Sequence, residues 1–586
     1  MKNIIKNIRF PFKIGDTLEI VDQRKSSLDL LLPRINAVKN RKIETNPARV
    51  IENLRVFAVD RNRLMMECVQ YLDSLNKNDI KTGLRKQVTD AVLELTANAI
   101  SATFRKYCNN NGSFPEDNER KTGLSFAIQL LRELILSNLY VLQADYHLPI
   151  RKFMQSGEKF RHTVFQIVEL LWWKQRLMAI RYQKLAEQEW RECNELYAIF
   201  SELYDTADIF NLYPGLEMQK ITGDAGNTVI TSASLDNLYI SIQIFGLLDV
   251  TSWPSQTILS VDSYIQEIID DLHLVPLSAG QITGSSVLIL RTSVTPPVFY
   301  KDQGVNQDTP GWYMNIEPLR NKVRTDLETL SQKEFLGIEE KKRLQSSRRA
   351  MSLNDNHVML ELLEKNLAGM QRVQNRSSVF GAKNLSLYAG LATSYRLLYD
   401  QANSFEDDGH MKHFREAAAQ HSSLLIENES DALESRWEVM NDSGGGLLIR
   451  TVETKHMHPL EVGLLVAIQH PNRKSEESTP ELGFITRLRR ARDNYIEVAI
   501  VKISRYAEAV TIEDPAMEKS TDRTPGILIR NLSDEWQLVM SKHSVYVPGS
   551  PVMLKRSSSN TPIRLGDVKL TKTGFKLYDV RAPNLQ

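Results

Sequence analysis

Residues 436–450 read RWEVMNDSGGGLLIR, and this stretch decides how the last part of the chain is interpreted. Alternating apolar and polar residues flank Asn441, Asp442 and three consecutive glycines. Asn, Asp and Gly readily adopt the positive-φ conformations that tight turns between antiparallel strands require. The stretch therefore predicts a β-hairpin whose turn lies at NDSGGG.

The same turn resembles the nucleophile turn of a serine protease, which would make Ser443 catalytic. A trypsin-like enzyme needs a His base and a buried Asp on upstream strands, but the upstream sequence reads as helical. An α/β-hydrolase needs GxSxG, and Asn441 stands where the first glycine of that motif would be. We therefore predict no catalytic residue and a protein that is not an enzyme.

Short alternating runs continue from WEVMN through YIEVAIVKIS to FKLYDV, separated by Gly, Pro, Asn and Ser. This spacing is typical of a small antiparallel barrel or sandwich, which we place at 434–586. Its long loops are expected at 470–480 and 512–526. A polar segment containing SFEDDGHMKH makes 403–433 a predicted linker.

The sequence before this linker has helical periodicity. We predict an N-terminal extension at 1–48, a helical domain at 49–212 and a mixed, mainly helical domain at 213–402. The predicted fold class is therefore α+β, with a large mainly α-helical N-terminal part followed by a C-terminal antiparallel β-barrel. Apolar residues that repeat at helical spacing are Val88, Val92, Leu95 and Ala99.

Two adjacent tryptophans, Trp172 and Trp173, fall on a strongly apolar helical segment. Neighbouring residues on a helix cannot both face one partner helix, so one of them could lie at a domain or subunit contact. The favoured interpretation is that both belong to a thick core.

Composition excludes several classes of partner. The chain has 586 residues, and 73 Lys and Arg nearly balance 72 Asp and Glu, so no global field favours nucleic acid or an acidic membrane. The basic start MKNIIKNIRFPFKIGD lacks the apolar core of a secretory signal, and no apolar run is long enough for a membrane span. We expect a cytoplasmic protein.

Metal and cofactor sites have no support in the sequence. Cys68, Cys108 and Cys193 are too far apart for a CxxC spacing. The histidine pairs in HMKH at 410–413 and KHMH at 455–458 lack carboxylate or cysteine partners at standard spacing, and surface histidines are the better interpretation. No Walker A sequence or GxGxxG occurs, so no cofactor is predicted.

Read as N-x-S-x-x-G, residues Asn441, Ser443 and Gly446 resemble the [D/N]xSxxG motif of PilZ domains, bacterial β-barrels that bind cyclic di-GMP. EVGLLVAIQ resembles the strand after that motif, and ELGFITRLRRARDNYIEVAIVKIS resembles the paired strands that follow. The resemblance implies an atypical PilZ-like barrel. Asn441 and Ser443 would bond a guanine edge or phosphate, and Gly446 would let the backbone approach closely.

The arginine pair that is typical of this family is incomplete here. PilZ receptors carry RxxxR just before the barrel, whereas GHMKHFREAAAQHSS offers Lys412 and Arg415 with no second arginine four residues away. Possible substitutes lie in RLRRAR at 487–492, although that run is also typical of a charged strand edge that discourages aggregation. The candidate cationic ligand residues are Arg436, Arg487 and Arg489.

These observations lead to two functional hypotheses. The first is a cytoplasmic bacterial signalling protein that binds cyclic di-GMP near Asn441–Gly446 and contacts an unknown protein partner through its helical part. The second is an adaptor whose degenerate barrel binds no nucleotide and serves only as an interaction surface. The resemblance suggests a process such as motility, adhesion or surface growth.

Overall fold

The structure of the protein is a computed structural model. It describes residues 31, 43–108, 118–148, 150–222, 226–248, 250, 253–279, 285–300, 309–333, 353–368, 384–402, 434–443, 445–451, 460–469, 480–490, 495–513, 524–542, 544–556, 560–572 and 574–581. Most of the predicted extension and all of the predicted linker at 403–433 lie outside these ranges. Two compact units are present: a helical unit of residues 1–109, 118–250 and 256–371, and a barrel unit of residues 110–117, 251–255 and 372–586.

Polar caps define where the first helices of the helical unit begin. The Asn46 side chain accepts from the backbone of Ala48, and Asp60 accepts from Asn62 N at 2.9 Å and Arg63 N at 3.1 Å. The helices are α1 Pro47–Arg55, α2 Arg61–Asn76, α3 Thr82–Cys108, α4 Asn118–Tyr146, α5 Ile150–Gln155, α6 Gly157–Ile180, α7 Glu187–Leu203, α8 Leu235–Leu247, α9 Ser255–Ile268, α10 Glu317–Lys333 and α11 Leu353–Leu367.

Short strands follow α7 in the same unit. The first strand pairs with the fourth and the second with the third, and the last four form one antiparallel sheet in the order fifth, eighth, sixth, seventh. Their bounds are β1 Ile209–Asn211, β2 Met218–Thr222, β3 Gly226–Ile230, β4 Ser232–Ser234, β5 Leu274–Pro276, β6 Ser286–Leu290, β7 Val298–Phe299 and β8 Gly311–Asn315.

Helices α4 and α6 contribute many residues to the core of the helical unit. Gly123–Tyr146 of α4 is long and apolar enough to cross a membrane, with a mean hydropathy of 1.3, but 61% of that window is buried inside the structure. A core helix has the same properties, so this helix does not indicate a membrane span. Trp172 and Trp173 on α6 are 1% and 3% exposed, which confirms their interpretation as core residues.

The barrel unit is antiparallel, with one described helix. Helix α12, Leu391–Ala402, follows its first strand. The strands are β9 Asn384–Ala389, β10 Glu434–Ser443, β11 Gly446–Thr451, β12 Leu465–Gln469, β13 Glu481–Arg490, β14 Ile496–Glu513, β15 Thr524–Asn531, β16 Trp536–Ser541, β17 Pro551–Lys555, β18 Asn560–Thr571 and β19 Phe575–Arg581. The predicted α+β class, helical first and β-barrel last, is confirmed.

The sheet closes twice rather than once. The first ring runs β9, β10, β11, β14, β13, β12 and returns to β9, and the second runs β14, β15, β16, β19, β18, β17 and returns to β14. The long strand β14 serves both rings: Ile496–Val501 pairs with β11, and Thr511–Glu513 pairs with β17. Register shifts near Ser504 fall where β14 leaves one ring for the other.

Two features of the rings differ from the sequence prediction. Strand β9, at 384–389, closes the first ring although it precedes the expected barrel boundary at 434 by a long segment. Six residues with the pattern NLSLYA carry a strand signal too short to separate from the helices around it. The predicted loops at 470–480 and 512–526 lie mostly outside the described residues, and their described ends are strand or directly precede one.

Two apolar clusters of described residues pack against strands of the rings. One fills the second ring and includes Val510, Leu528, Leu538 and Tyr578. The other lies on the outer face of the sheet, where Tyr395 and Leu398 of α12 pack against residues from both rings, such as Leu482, Ile527 and Phe575. Because α12 covers strands of both rings, its packing ties them into one unit.

Candidate functional site

The predicted hairpin is confirmed. Strand β10 ends at Ser443, β11 begins at Gly446, and the two residues pair directly. Ser443 Oγ donates to the Gly446 carbonyl at 2.9 Å, and Lys502 N donates to the Gly445 carbonyl at 3.1 Å. The hairpin tip is thus bonded within itself and to β14.

Of the three hairpin glycines, the structure describes Gly445 and Gly446, and neither has a positive φ. A Cβ on Gly446 would lie 3.1 Å from the Ile500 carbonyl, which is tighter than most real contacts. Gly446 therefore permits close packing of β11 on β14, a structural need that exists with or without a ligand.

Asn441 and Arg487 lie in one cross-strand row on the outer face of the first ring. The row runs from Asn441 through Leu448 and Ala499 to Arg487. Leu447 and its alternate neighbours are buried, so this row faces outward. Three strand spacings separate its ends, roughly 14 Å. The structure brings the two predicted residues to one face without bringing them together.

The neighbouring row carries alternating charges. Glu438, Arg450, Glu497 and Arg489 stand opposite one another on four adjacent strands. Arg450 donates to Glu438 at 2.9 Å, and the Arg489 guanidinium lies 3.8 Å from the Glu497 carboxylate. The Arg450 guanidinium also lies 5.5 Å from the Tyr495 ring centre. This charge ladder partly neutralises Arg489, one of the predicted ligand residues.

A buried cation lies next to the predicted motif and was missed by the sequence analysis. Lys502 Nζ contacts Asp442 at 2.8 Å and Glu481 at 2.9 Å, and its side chain is 9% exposed. Burial lowers the pKa of Lys502, but the bonds to both carboxylates outweigh it and hold this pKa above its ordinary value. The sequence signal that could have found it is the position of Lys502 on β14. It follows Val498 and Ile500 at the two-residue spacing of the inward side chains.

Other predicted residues are less informative. The backbone of Arg436 pairs with Ser386 of β9. Lys412, Arg415 and the histidine pairs at 410–413 and 455–458 lie outside the described residues. Within the described ranges, no group of three or more His, Cys, Asp or Glu could hold a metal ion.

Buried ion pairs join the helices of the helical unit. Arg176 of α6 bonds to Asp262 of α9, and both side chains are almost fully buried. The Arg176 guanidinium lies 4.0 Å from the ring centre of Trp172. Burial raises the pKa of Asp262, against the opposing effect of Arg176. On the same helix, Lys174 bonds to the buried Glu189 of α7.

A further buried carboxyl lies between the same helix and a loop. Glu169 of α6 is 2% exposed and accepts from Tyr213 N at 2.8 Å. Burial raises the pKa of Glu169 to about 8. The hydrogen bond from Tyr213 N lowers this pKa, and the nearby charge of Glu217 raises it. The side chain is therefore largely neutral at neutral pH.

Comparison with known proteins points to this helical region. Residues 62–278 match the family model of the N-terminal domain of the cyclic-di-GMP receptor FimW, which covers less than half of the chain. The likeness to a cyclic di-GMP receptor is therefore found at the N-terminal part and not at the C-terminal barrel, where the motif predicted it. The match extends over residues 62–278, whereas the barrel prediction used a six-residue turn.

No curated protein matches the chain. Among solved structures, the crystal structure of the insecticidal delta-endotoxin Cry8Ea1 from Bacillus thuringiensis is 10% identical, covering 96% of this chain and 69% of that chain. Its TM-score of 0.12 is too low to indicate a shared fold.

Proposed function

We propose that this chain is a cytoplasmic bacterial signalling protein that binds cyclic di-GMP through the first ring of its barrel unit. The helical unit would transmit the signal by contact with another protein. The observation that carries this proposal is the family match at 62–278, because it is independent of the N-x-S-x-x-G motif. No bond needs to be made or broken, since binding shifts the population of conformations.

The geometry of the hairpin supports a ligand site on the outer face of the first ring. Ser443 is exposed and Asn441 is half-buried, so their polar groups are within reach of a ligand. Gly446 has no side chain that would keep a ligand from the backbone at the same place. Arg487, in the same row as Asn441, and Arg489, in the next row, would supply guanidinium groups for phosphate or guanine.

A second candidate is an adaptor whose barrel binds no nucleotide. The observation that favours it is the pairing of the cations around the hairpin: Arg450 with Glu438, Arg489 with Glu497, and Lys502 with two carboxylates. A phosphate would have to compete with these carboxylates for each charge. The two candidates differ in one measurable property, the affinity for cyclic di-GMP.

Isothermal titration of cyclic di-GMP into the full-length protein separates the two candidates. A receptor gives saturable binding that an Asn441→Ala, Ser443→Ala variant loses. Asn531 and Ser533 repeat N-x-S between β15 and β16, but Trp536 stands where the first hairpin has glycine. Asn531→Ala, Ser533→Ala is therefore a matched control that retains binding. Absence of heat and of any melting shift at high ligand concentration refutes the receptor and leaves the adaptor.

A further inference from the structure

A pocket of about 400 Å³ opens on the helical unit. Helix α7 forms one wall, and the segments before β8 and after β5 and β6 form the others. Its size lies within the range of small-ligand sites, about 300–1,000 Å³. The polar and aromatic residues that line it are Ser201, Glu202, Ser278, Arg291, Thr309 and Trp312.

An aromatic stack holds Trp312 in place. Tyr197 and Tyr239 stack face to face with ring centres 3.9 Å apart, and the Trp312 ring meets Tyr197 edge to face at 5.0 Å. Tyr197 OH is fixed in turn by a 2.6 Å bond to Asp236. Trp312 therefore presents a rigid, half-buried indole to the pocket, at little entropic cost when a planar ligand binds.

Two carboxylates fix the plane of Arg291. Its Nε and Nη2 donate to Glu195 at 3.0 and 2.7 Å, and its Nη1 donates to Glu202 at 2.6 Å. These bonds use three of the five N–H donors of a guanidinium. They also raise the pKa of Arg291 above its ordinary value, the bond to Glu195 most strongly. Arg291 is thus a charged, flat group with donor capacity beyond the pair.

The charges select the class of ligand. The two carboxylates of Glu195 and Glu202 and the guanidinium of Arg291 together have a net charge of −1, which disfavours the binding of phosphate. The Arg291 guanidinium in the wall repels a second cation at short range, which works against the net negative charge. A neutral planar ring that offers adjacent N–H donors and a carbonyl oxygen fits the pair, because Glu202 accepts from the donors and Arg291 donates to the oxygen. Guanine has this edge, with O6 as acceptor and N1–H and N2–H as donors.

We infer that this pocket binds the guanine base of a guanine nucleotide, with Trp312 as the stacking surface and Arg291 and Glu202 reading the base edge. The site does not rest on the barrel site proposed above. The phosphates extend from the pocket into solvent, since Arg291 is the only cation among its described lining residues. Adenine is rejected, because its N1 acceptor would face the Glu202 carboxylate.

The test is titration of GMP, guanosine and AMP into the full-length protein. GMP and guanosine are expected to bind with affinities within a few-fold of each other, and AMP at least ten-fold more weakly. Glu202→Gln places an amide where the base needs an acceptor and weakens GMP at least ten-fold. Ser201→Trp fills the pocket and abolishes binding. Glu187→Gln, an exposed change on the same helix, leaves GMP binding as in the wild type.

Each alternative outcome overturns the inference. GMP binding that survives both Glu202→Gln and Ser201→Trp places the base elsewhere. Equal binding of AMP contradicts reading of the edge, and strong binding of agmatine without GMP makes the pocket a cation site. The barrel proposal fails separately, because the Asn441→Ala, Ser443→Ala variant leaves GMP binding intact and the pocket variants leave the barrel motif intact.

Discussion

The hairpin face of the first ring and the helical core of 62–278 use charge in opposite ways. On the ring, Glu438, Arg450 and their row neighbours form an exposed ladder between adjacent strands. In the helical core, Arg176 and Asp262 meet from helices far apart in sequence, with both charges withdrawn from water. Exposed pairs are cheap to lose, whereas a buried pair leaves an uncompensated charge when one partner is removed.

Asp262→Asn has the largest expected effect on stability. The substitution preserves shape but leaves the Arg176 guanidinium without its counter-charge in the core, which should cost about 3 kcal/mol or more. The matched control is Asp73→Asn, which removes the exposed partner of Lys77 and should cost less than about 0.5 kcal/mol. Calorimetric unfolding of both variants measures the difference. Equal effects would mean that burial does not distinguish the two kinds of pair.

Glu169 gives the second largest expected effect, as a dependence on pH. Its folded pKa of about 8 lies above its ordinary value, so its contribution to stability is full below about pH 4.5. The contribution is lost as pH rises toward 8, because the folded state must release the proton in a buried site. Glu169→Gln keeps an oxygen for Tyr213 N and cannot ionise. It should match the wild type near pH 5 and exceed its melting temperature at pH 9.

A melting curve of Glu169→Gln that stays parallel to the wild type from pH 5 to pH 9 contradicts this assignment. Glu133→Gln is a useful companion, because burial also raises the pKa of Glu133, but its Oε2 accepts from Asn76. The pH dependence of its effect should be smaller than that of Glu169.

A sequence pattern predicts local features of the fold, but it does not predict contacts between residues far apart in the chain. The NDSGGG hairpin and the order of helices before strands were predicted because turn chemistry and periodicity are local. The double closure of the sheet was missed, since it depends on β14 pairing at both ends with strands far along the chain. The pocket around Arg291 was missed for the same reason: Glu195, Arg291 and Trp312 converge only after folding.

Lys502 combines features of the two regions, because it belongs to the first ring but is a buried charge on the inward face of β14. Lys502→Met leaves Asp442 and Glu481 facing each other without a cation, and should cost about 1–3 kcal/mol. Lys569→Met, which removes an exposed partner of Asp579, is the control and should change stability little. A Lys502 variant as stable as that control would show that the cluster is effectively solvated.

Ser443→Ala has the smallest expected effect on stability and is the most informative about function. The lost bond to the Gly446 carbonyl is exposed, so the change should cost about 0.5 kcal/mol. If the proposed receptor function is correct, the same change weakens cyclic di-GMP at least several-fold, because the hydroxyl also meets the ligand. A serine-reactive probe should not label Ser443, since its proton is held by a carbonyl rather than by a base. Unchanged cyclic di-GMP affinity would reduce Ser443 to a turn residue, and labelling would reopen the catalytic interpretation.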